Sequence, residues 1–475
     1  MKKYSNHLLS ITVFLLAGCV VAPTNQSNRN PGSPLPSPSP ANEKTANAQP
    51  LTLPVLDAFF ADPRFSDLLK ARLQLTDDQV TQLRQLAQTE TARLNEASAG
   101  KTEGETAAAR TAAEEKIGAV IGTEKAQQLA ALVREQWSGA SENPSEIRST
   151  GTTNPTTAEQ FTANAPNAAP TDSRIVVNAP AYRMDVFDGG RLIKSYKIGI
   201  GYPEFPLPTG LRKATTIIFN PTWTPPDEPW VARMKNVNAG EKVEAGSKLN
   251  PLGPIKIPIG GPSLIHGGKS PAKLGTFASH GCVGLTTPQV QDFAKLLAQI
   301  GGGHLSDADL ARYARDKTQT KQLKLSSPVP VELRYETIVV EDGKLHIYRD
   351  VYDQNTNTEE NLREVLKANG VKLEDLTAEE RAQVLDALAQ TSGKSSARIA
   401  RQLAKQGPSG SAAYSPSKVG AENKSSAAGK TPRLNKNQKE IVIEIAALKG
   451  KGYPPPVDLD TGGGKTKIMS QSARG

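Results

Sequence analysis

Three long stretches of this chain carry too little apolar matter to pack, and their placement decides where folded structure can form. Residues 19–51 are rich in Pro, Ser, Asn and Thr, as in Pro31-Gly32-Ser33-Pro34-Leu35-Pro36. Residues 139–172 repeat that bias with Ala added, and residues 406–475 are mostly Lys-, Ser-, Gly- and Pro-rich. Such segments bury too little apolar surface to offset the entropy lost when a chain is ordered. The first reads as a disordered tether, the second as a linker and the third as a mostly disordered basic tail. They explain why only 37% of the 475 residues are hydrophobic and 5% aromatic. Folded structure is thereby confined to residues 52–138, residues 173–353 and a short helical segment at 354–405.

The N-terminus is an export signal. Lys2 and Lys3 precede an apolar run from Leu8 to Leu16, well short of the ~20 residues a helix needs to span a bilayer. A signal peptide over residues 1–18 is the reading. Its end, Leu16-Ala17-Gly18-Cys19, resembles the lipobox of bacterial lipoproteins. That resemblance implies cleavage before Cys19 and acylation of its thiol and new amine. Each buried methylene adds roughly 0.8 kcal/mol, so several chains on one residue anchor stably. The alternative is an ordinary signal peptide cut nearby. Val20 follows Cys19, where Asp often signals retention at the inner membrane. The expected location is therefore the cell envelope, facing the periplasm, with the outer membrane favoured. A formal net charge of +9 suits an anionic neighbour such as wall polymer or lipid head groups. The basic residues scatter through the tails without an aromatic and basic motif, so no nucleic-acid partner is expected.

Residues 52–138 show helical periodicity. Thr76-Asp77-Asp78-Gln79 is a capping box, with two acids in the first turn where the helix dipole favours them. Val80, Leu83, Ala87 and Leu94 follow on one face, and Gly122-Thr123-Glu124 opens another helix carrying Leu129, Leu132 and Val133. The segment Leu75-Thr76-Asp77-Asp78-Gln79 resembles the LTxxQ motif of a group of periplasmic helical proteins. Two readings stay open for this all-α module: a spacer or docking element for an envelope protein partner, and a chaperone-like role.

From Ile175 the period changes to two. Ile175 to Val177 and Arg183 to Phe187 read as strands, followed by a turn at Asp188-Gly189-Gly190 and a returning strand from Leu192 to Ile200. Thr215 to Phe219, Ile255 to Ile259, Val329 to Tyr335 and Ile338 to Val340 add strands. One helix is predicted over Pro288–Ile300, capped by Thr287. The pattern predicts a mainly β domain with one or more helices. Beyond it, Thr377-Ala378-Glu379-Glu380 heads a further helix through Leu388.

The chain has two cysteines, and if Cys19 carries lipid then Cys282 is a free thiol outside the cytoplasm. Its surroundings are Leu264-Ile265-His266-Gly267-Gly268 and Gly275-Thr276-Phe277-Ala278-Ser279-His280-Gly281-Cys282-Val283-Gly284-Leu285. Acyl transfer by cysteine needs the thiolate, and a thiol with a pKa near ~8.5 needs a base or a cation beside it. His266 and His280 are candidates, and the flanking glycines allow close backbone approach to a substrate. The bland alternative is a buried structural cysteine among incidental glycines. No zinc-ligand spacing is present, and neither a metal nor a cofactor is expected.

His-Gly, a spacer, then Ser-His-Gly-Cys resembles the signature of the L,D-transpeptidase catalytic (YkuD-type) family. Asp188-Gly189-Gly190, Pro208-Thr209-Gly210 and Asn220-Pro221-Thr222-Trp223-Thr224-Pro225-Pro226 extend the likeness across the β domain. The last segment resembles the branch that includes enzymes attaching lipoproteins to the wall. The resemblance implies a β-sandwich with helices and a substrate, the peptidoglycan stem peptide. It implies that Cys282 attacks the carbonyl between the third and fourth stem residues, releasing D-alanine and leaving a thioester that an amine resolves. In it His266 is the general base, and the Ser279 backbone carbonyl orients that histidine. His280 and the amides near Gly281 and Cys282 meet the oxyanion. Gly267 and Trp223 are the candidates for substrate binding, with a core or loop-packing role an equal reading for Trp223.

One position departs from the family, which usually has Arg two residues after the cysteine where this chain has Gly284. Lys269, Lys273 and Arg233 are the candidates to compensate. His304 and His346 lack comparable neighbours and read as surface or structural residues. Two rivals stay open: a non-catalytic peptidoglycan-binding lipoprotein, and an L,D-carboxypeptidase or hydrolase using the same Cys-His pair with water as acceptor.

Overall fold

The computed structural model describes residues 51–93, 105–137, 166–225, 231, 234–392, 434 and 438–462. The expected signal peptide, Cys19, the tether, most of the linker and much of the tail lie outside these residues.

The N-terminal module is built from five helices: α1 (Leu53–Phe60), α2 (Pro63–Leu73), α3 (Asp77–Arg93), α4 (Glu105–Ile121) and α5 (Thr123–Trp137). Thr76 and Gln79 exchange the two bonds of the capping box, at 3.2 Å from the Gln79 amide and 3.1 Å from the Thr76 amide. The apolar face this cap initiates, Val80, Leu83 and Ala87, is buried against Leu56, Leu69, Ile117 and Leu129. Burial of that stripe, at roughly 1.5–3 kcal/mol for each large side chain, stabilises helices too short to persist alone.

The β domain is mostly strand. One sheet of eight strands runs in the order β3-β2-β1-β10-β5-β6-β7-β9. Its members are β1 (Arg174–Asn178), β2 (Arg183–Asp188), β3 (Arg191–Lys197), β5 (Gly210–Phe219), β6 (Ile255–Pro258), β7 (Leu264–His266), β9 (Val283–Gly284) and β10 (Lys321–Arg334). A separate parallel pair joins β4 (Ile200–Gly201) to β8 (Phe277–Ser279). The β2–β3 hairpin turns through Gly189 and Gly190 at φ 54° and 79°, the positive values a primed two-residue turn demands. Helix α6 (Thr287–Ile300) lays Val290, Phe293, Ala294 and Leu297 into the sheet core beside Ile257, Ile265 and Val283. Its cap is Thr286, one residue before the expected Thr287, and the Gln289 side chain completes a capping box. Helix α6 thus covers the sheet core, and the β4–β8 pair adjoins the sheet edge through the bridge between Gly199 and Gly284 of β9. A short helix α7 (Asp307–Arg315) follows, with a second capping box between Ser306 and Asp309.

The C-terminal region differs most from expectation. Strands β11 (Ile338–Glu341) and β12 (Lys344–Tyr348) leave the large sheet and pair with β13 (Glu440–Glu444). They share a core with α8 (Glu359–Ala368) and α9 (Ala378–Thr391), including Val340, Ile347, Leu366, Val384, Ile441 and Ile443. Val351 and Tyr352, which follow β12, nevertheless pack in the core of the large sheet, and the Tyr352 hydroxyl donates to Gly201 O at 2.9 Å. Beyond β13 the chain returns to the large sheet and covers its edge strand. The Ser195 amide donates to Val457 O at 2.9 Å and the Lys197 amide to Asp460 O at 2.9 Å. Bare strand edges template unwanted pairing, and this strap satisfies one. Residues 438–462 thus form ordered structure within the 406–475 segment, where an alternating Ile441, Ile443 and Ile445 sits inside a Lys-rich context.

Candidate active site

Two short parallel strands bring the chemistry together. β7 pairs with β9 with Ile265 opposite Val283 and His266 opposite Gly284. Side chains alternate between faces along a strand. His266 and Gly284 therefore share a face, and Cys282 immediately precedes β9. The pairing is closed by the Leu285 amide, which donates to His266 O at 2.9 Å.

Cys282 follows a tight turn. Gly281 has φ 76°, a conformation in which any Cβ would be strained. The Ser279 hydroxyl closes the turn, donating to Cys282 O at 2.5 Å and accepting from the Cys282 amide at 3.0 Å. The Ser279 backbone carbonyl accepts from the Tyr202 amide at 2.8 Å. Ser279 thus shapes the nucleophile's turn through its hydroxyl, while its carbonyl accepts from Tyr202. The Cys282 amide is engaged by the Ser279 hydroxyl.

His266 is oriented by its neighbour: Nδ1 lies 2.8 Å from Gly267 O. That bond requires the proton on Nδ1 and leaves Nε2 as the acceptor, the form a general base needs. Gly267 is itself packed so closely that a Cβ would lie 2.7 Å from Val290 Cγ1. Its carbonyl thus serves to orient His266. Trp223 is 9% exposed and packs in a small cluster with Val231, Val237 and Leu252, against Leu264 at the start of β7. The aromatic side chain braces the strand that carries His266.

Burial sets the protonation states. His266 is 4% exposed, and burial, with the Lys269 charge second, pushes its pKa down to about 3. The same two causes push His280 down to about 3. Burial pushes the Cys282 thiol up, partly offset by a backbone hydrogen bond at Leu264 and by the Lys269 charge. At neutral pH the resting pair is therefore thiol and imidazole, with the proton moving as the sulfur attacks. His304 is exposed, and His346 bonds Glu440 at 2.8 Å on the C-terminal sheet; both lie outside this constellation. Among the described residues no group of His, Cys, Asp or Glu is placed to hold a metal ion.

Lys269 also explains Gly284. A Cβ at residue 284 would lie 2.9 Å from Lys269 Cγ and 3.0 Å from its Cε. The lysine stem fills the space that a side chain at 284 would use, and its charge bears on His266, His280 and Cys282. Of the other candidates, Lys273 is exposed in a short 3-10 turn and Arg233 lies outside the described residues. Gly284→Arg is accordingly expected to displace Lys269 and lower the acylation rate, checked by stopped-flow acylation of both proteins. A gain in rate would show an empty socket instead.

Residues 172–330 match the family model described as the L,D-transpeptidase catalytic domain (YkuD). The match covers the β domain, and the family likeness is confined to it. Its likeness to solved structures is remote. The catalytic domain of the Enterococcus faecium L,D-transpeptidase is 16% identical, with 35% of this chain and 100% of that one covered at a TM-score of 0.23. An L,D-transpeptidase from Mycobacterium smegmatis is 14% identical, with 34% and 58% covered at 0.20. L,D-transpeptidase 3 from Mycobacterium tuberculosis is 13% identical, with 34% and 60% covered at 0.20. The chain spans about half of one further neighbour, an avibactam carbamoyl enzyme, at 49% of its length. No curated protein matches the chain.

Proposed function

We propose that this chain is a lipid-anchored L,D-transpeptidase that acts on peptidoglycan stem peptides through a thioester on Cys282. The observation that carries the reading is the position of Cys282 immediately before β9, which pairs in parallel with the strand that ends in His266, within a domain that matches that family's model. His266 Nε2 accepts the thiol proton while Sγ attacks the carbonyl between the third and fourth stem residues. The C–N bond then breaks, the same proton passes to the leaving amine, and D-alanine departs. An amine from a neighbouring stem or a wall-attached protein attacks the thioester, gives up a proton to His266 and restores the thiol. The oxyanion formed in each step meets the Gly281 amide and His280, where a preorganised donor is worth roughly 3 kcal/mol. Acylated Cys19 holds the domain at the envelope membrane, facing the periplasm, with the outer membrane favoured.

The test is incubation of purified stem tetrapeptides with protein that begins at residue 20, followed by mass spectrometry of the products. Cross-linked dimers with stoichiometric D-alanine support transpeptidation. Tripeptide with D-alanine and no dimer would replace it with a carboxypeptidase, and unchanged tetrapeptide would leave a wall-binding lipoprotein.

A further inference from the structure

The N-terminal helices reach the active site through one loop. Residues 202–205 connect β4 to the approach of β5, and they touch the nucleophile's turn from two sides. The Tyr202 amide donates to Ser279 O at 2.8 Å. The rings of Tyr202 and Phe205 meet the His280 ring edge-on, with centroids 5.2 Å and 4.9 Å away. Gly201, just before the loop, approaches so closely that a Cβ there would lie 3.2 Å from Gly281 Cα and N. The backbone of this loop is therefore the wall behind His280 and Gly281.

Two threonines of the helical module grip that wall. Thr52, the cap of α1, donates its hydroxyl to Glu204 O at 2.5 Å. Thr106, in the first turn of α4, donates to Pro203 O at 2.8 Å. Both threonines are 0% exposed. A buried carbonyl that loses such a donor must find another partner or move. The two bonds come from helices well separated in sequence that converge in one core, so the loop is held by a folded unit and not by a stray segment.

We propose that the helical module is a clamp on the active site, with Thr52 and Thr106 as positioning residues that hold the 202–205 loop, and through it His280 and the Cys282 turn, in the reactive geometry. The inference rests on the proposed Cys282 chemistry and assigns the module a part in it. An occupant that pulled the module from the loop would slow acylation at a distance.

The experiment uses the full chain without its lipid and a carbapenem as acylating probe, followed by stopped-flow absorbance of the β-lactam. The burst amplitude counts competent sites, and the rate constant reports their geometry. Thr52→Val with Thr106→Val is expected to keep the amplitude and lower the rate constant about tenfold. Thr52→Ser with Thr106→Ser, which retains both hydroxyls, is expected to restore it. Thr89→Val, an exposed position on α3 that bonds only its own helix, serves as control. An unchanged rate constant in the double Val variant overturns the clamp, as does a loss of amplitude alone, which would mean a purely structural role. Absence of any burst in the wild-type protein would instead remove the Cys282 reading beneath it.

Discussion

Cys282→Ala is expected to abolish release of D-alanine from a stem tetrapeptide, by about 10⁴-fold or more, while leaving the fold in place. Sγ makes one long contact, donating to His280 O at 3.9 Å, and the turn is closed by the Ser279 hydroxyl on the Cys282 backbone. Removing one sulfur from a site 9% exposed leaves a small void, worth about 1 kcal/mol at most on the scale of larger core truncations. Coupled assay of D-alanine together with a thermal melt separates the two effects. A normal melt without D-alanine is the expected pair, and wild-type release from the variant would rule out cysteine attack.

His266→Gln carries the second large effect, a fall of roughly 10²–10⁴ in the acylation rate, the usual span for a lost general base. Glutamine retains a donor toward Gly267 O but supplies no basic nitrogen. The wild-type pH profile follows from the direction of the shift. The working form of His266 is the neutral imidazole, and a pKa depressed to about 3 keeps that form populated as the medium becomes acid. Acylation should therefore hold level from pH 7 down to about pH 5, without the limb near 6.5 that an unperturbed histidine would impose. A limb at 6.5 in the wild type, or equal losses for His266→Gln and His304→Gln, would strip His266 of its role.

Much of the fold was legible because local chemistry and tertiary context agree. Thr76 with Gln79, Thr377 with Glu380 and the Gly189-Gly190 turn each announce an element boundary by a backbone need, and each is met in the structure. What escaped was set by long-range pairing. β7 and β9 are strands of three and two residues, too short to show alternation, and they exist because β7 pairs with β6 on one side and β9 on the other. β13 was hidden by the Lys-rich composition around it, although Ile441, Ile443 and Ile445 carry the period of a buried strand.

The candidate site divides in the same way. Residue identity and order exposed Cys282 and His266, since a free thiol near histidines asks for a chemical explanation. The partners of those residues did not follow from order. Gly267 turns out to offer its carbonyl to His266, Trp223 packs behind β7, and Ser279 bonds both backbone groups of Cys282. Lys269 filling the space over Gly284 depends on the register of β7 against β9. The Thr52 and Thr106 contacts cross 152 and 97 residues of chain, a separation at which no sequence pattern speaks.

The most direct test of the central claim is intact-protein mass spectrometry after mixing the lipid-free chain with a carbapenem, with peptide mapping of any adduct. The account predicts one added drug mass on wild type, mapped to the peptide containing Cys282, and none on Cys282→Ala. An unmodified wild-type protein, or an adduct that persists in Cys282→Ala, would contradict it.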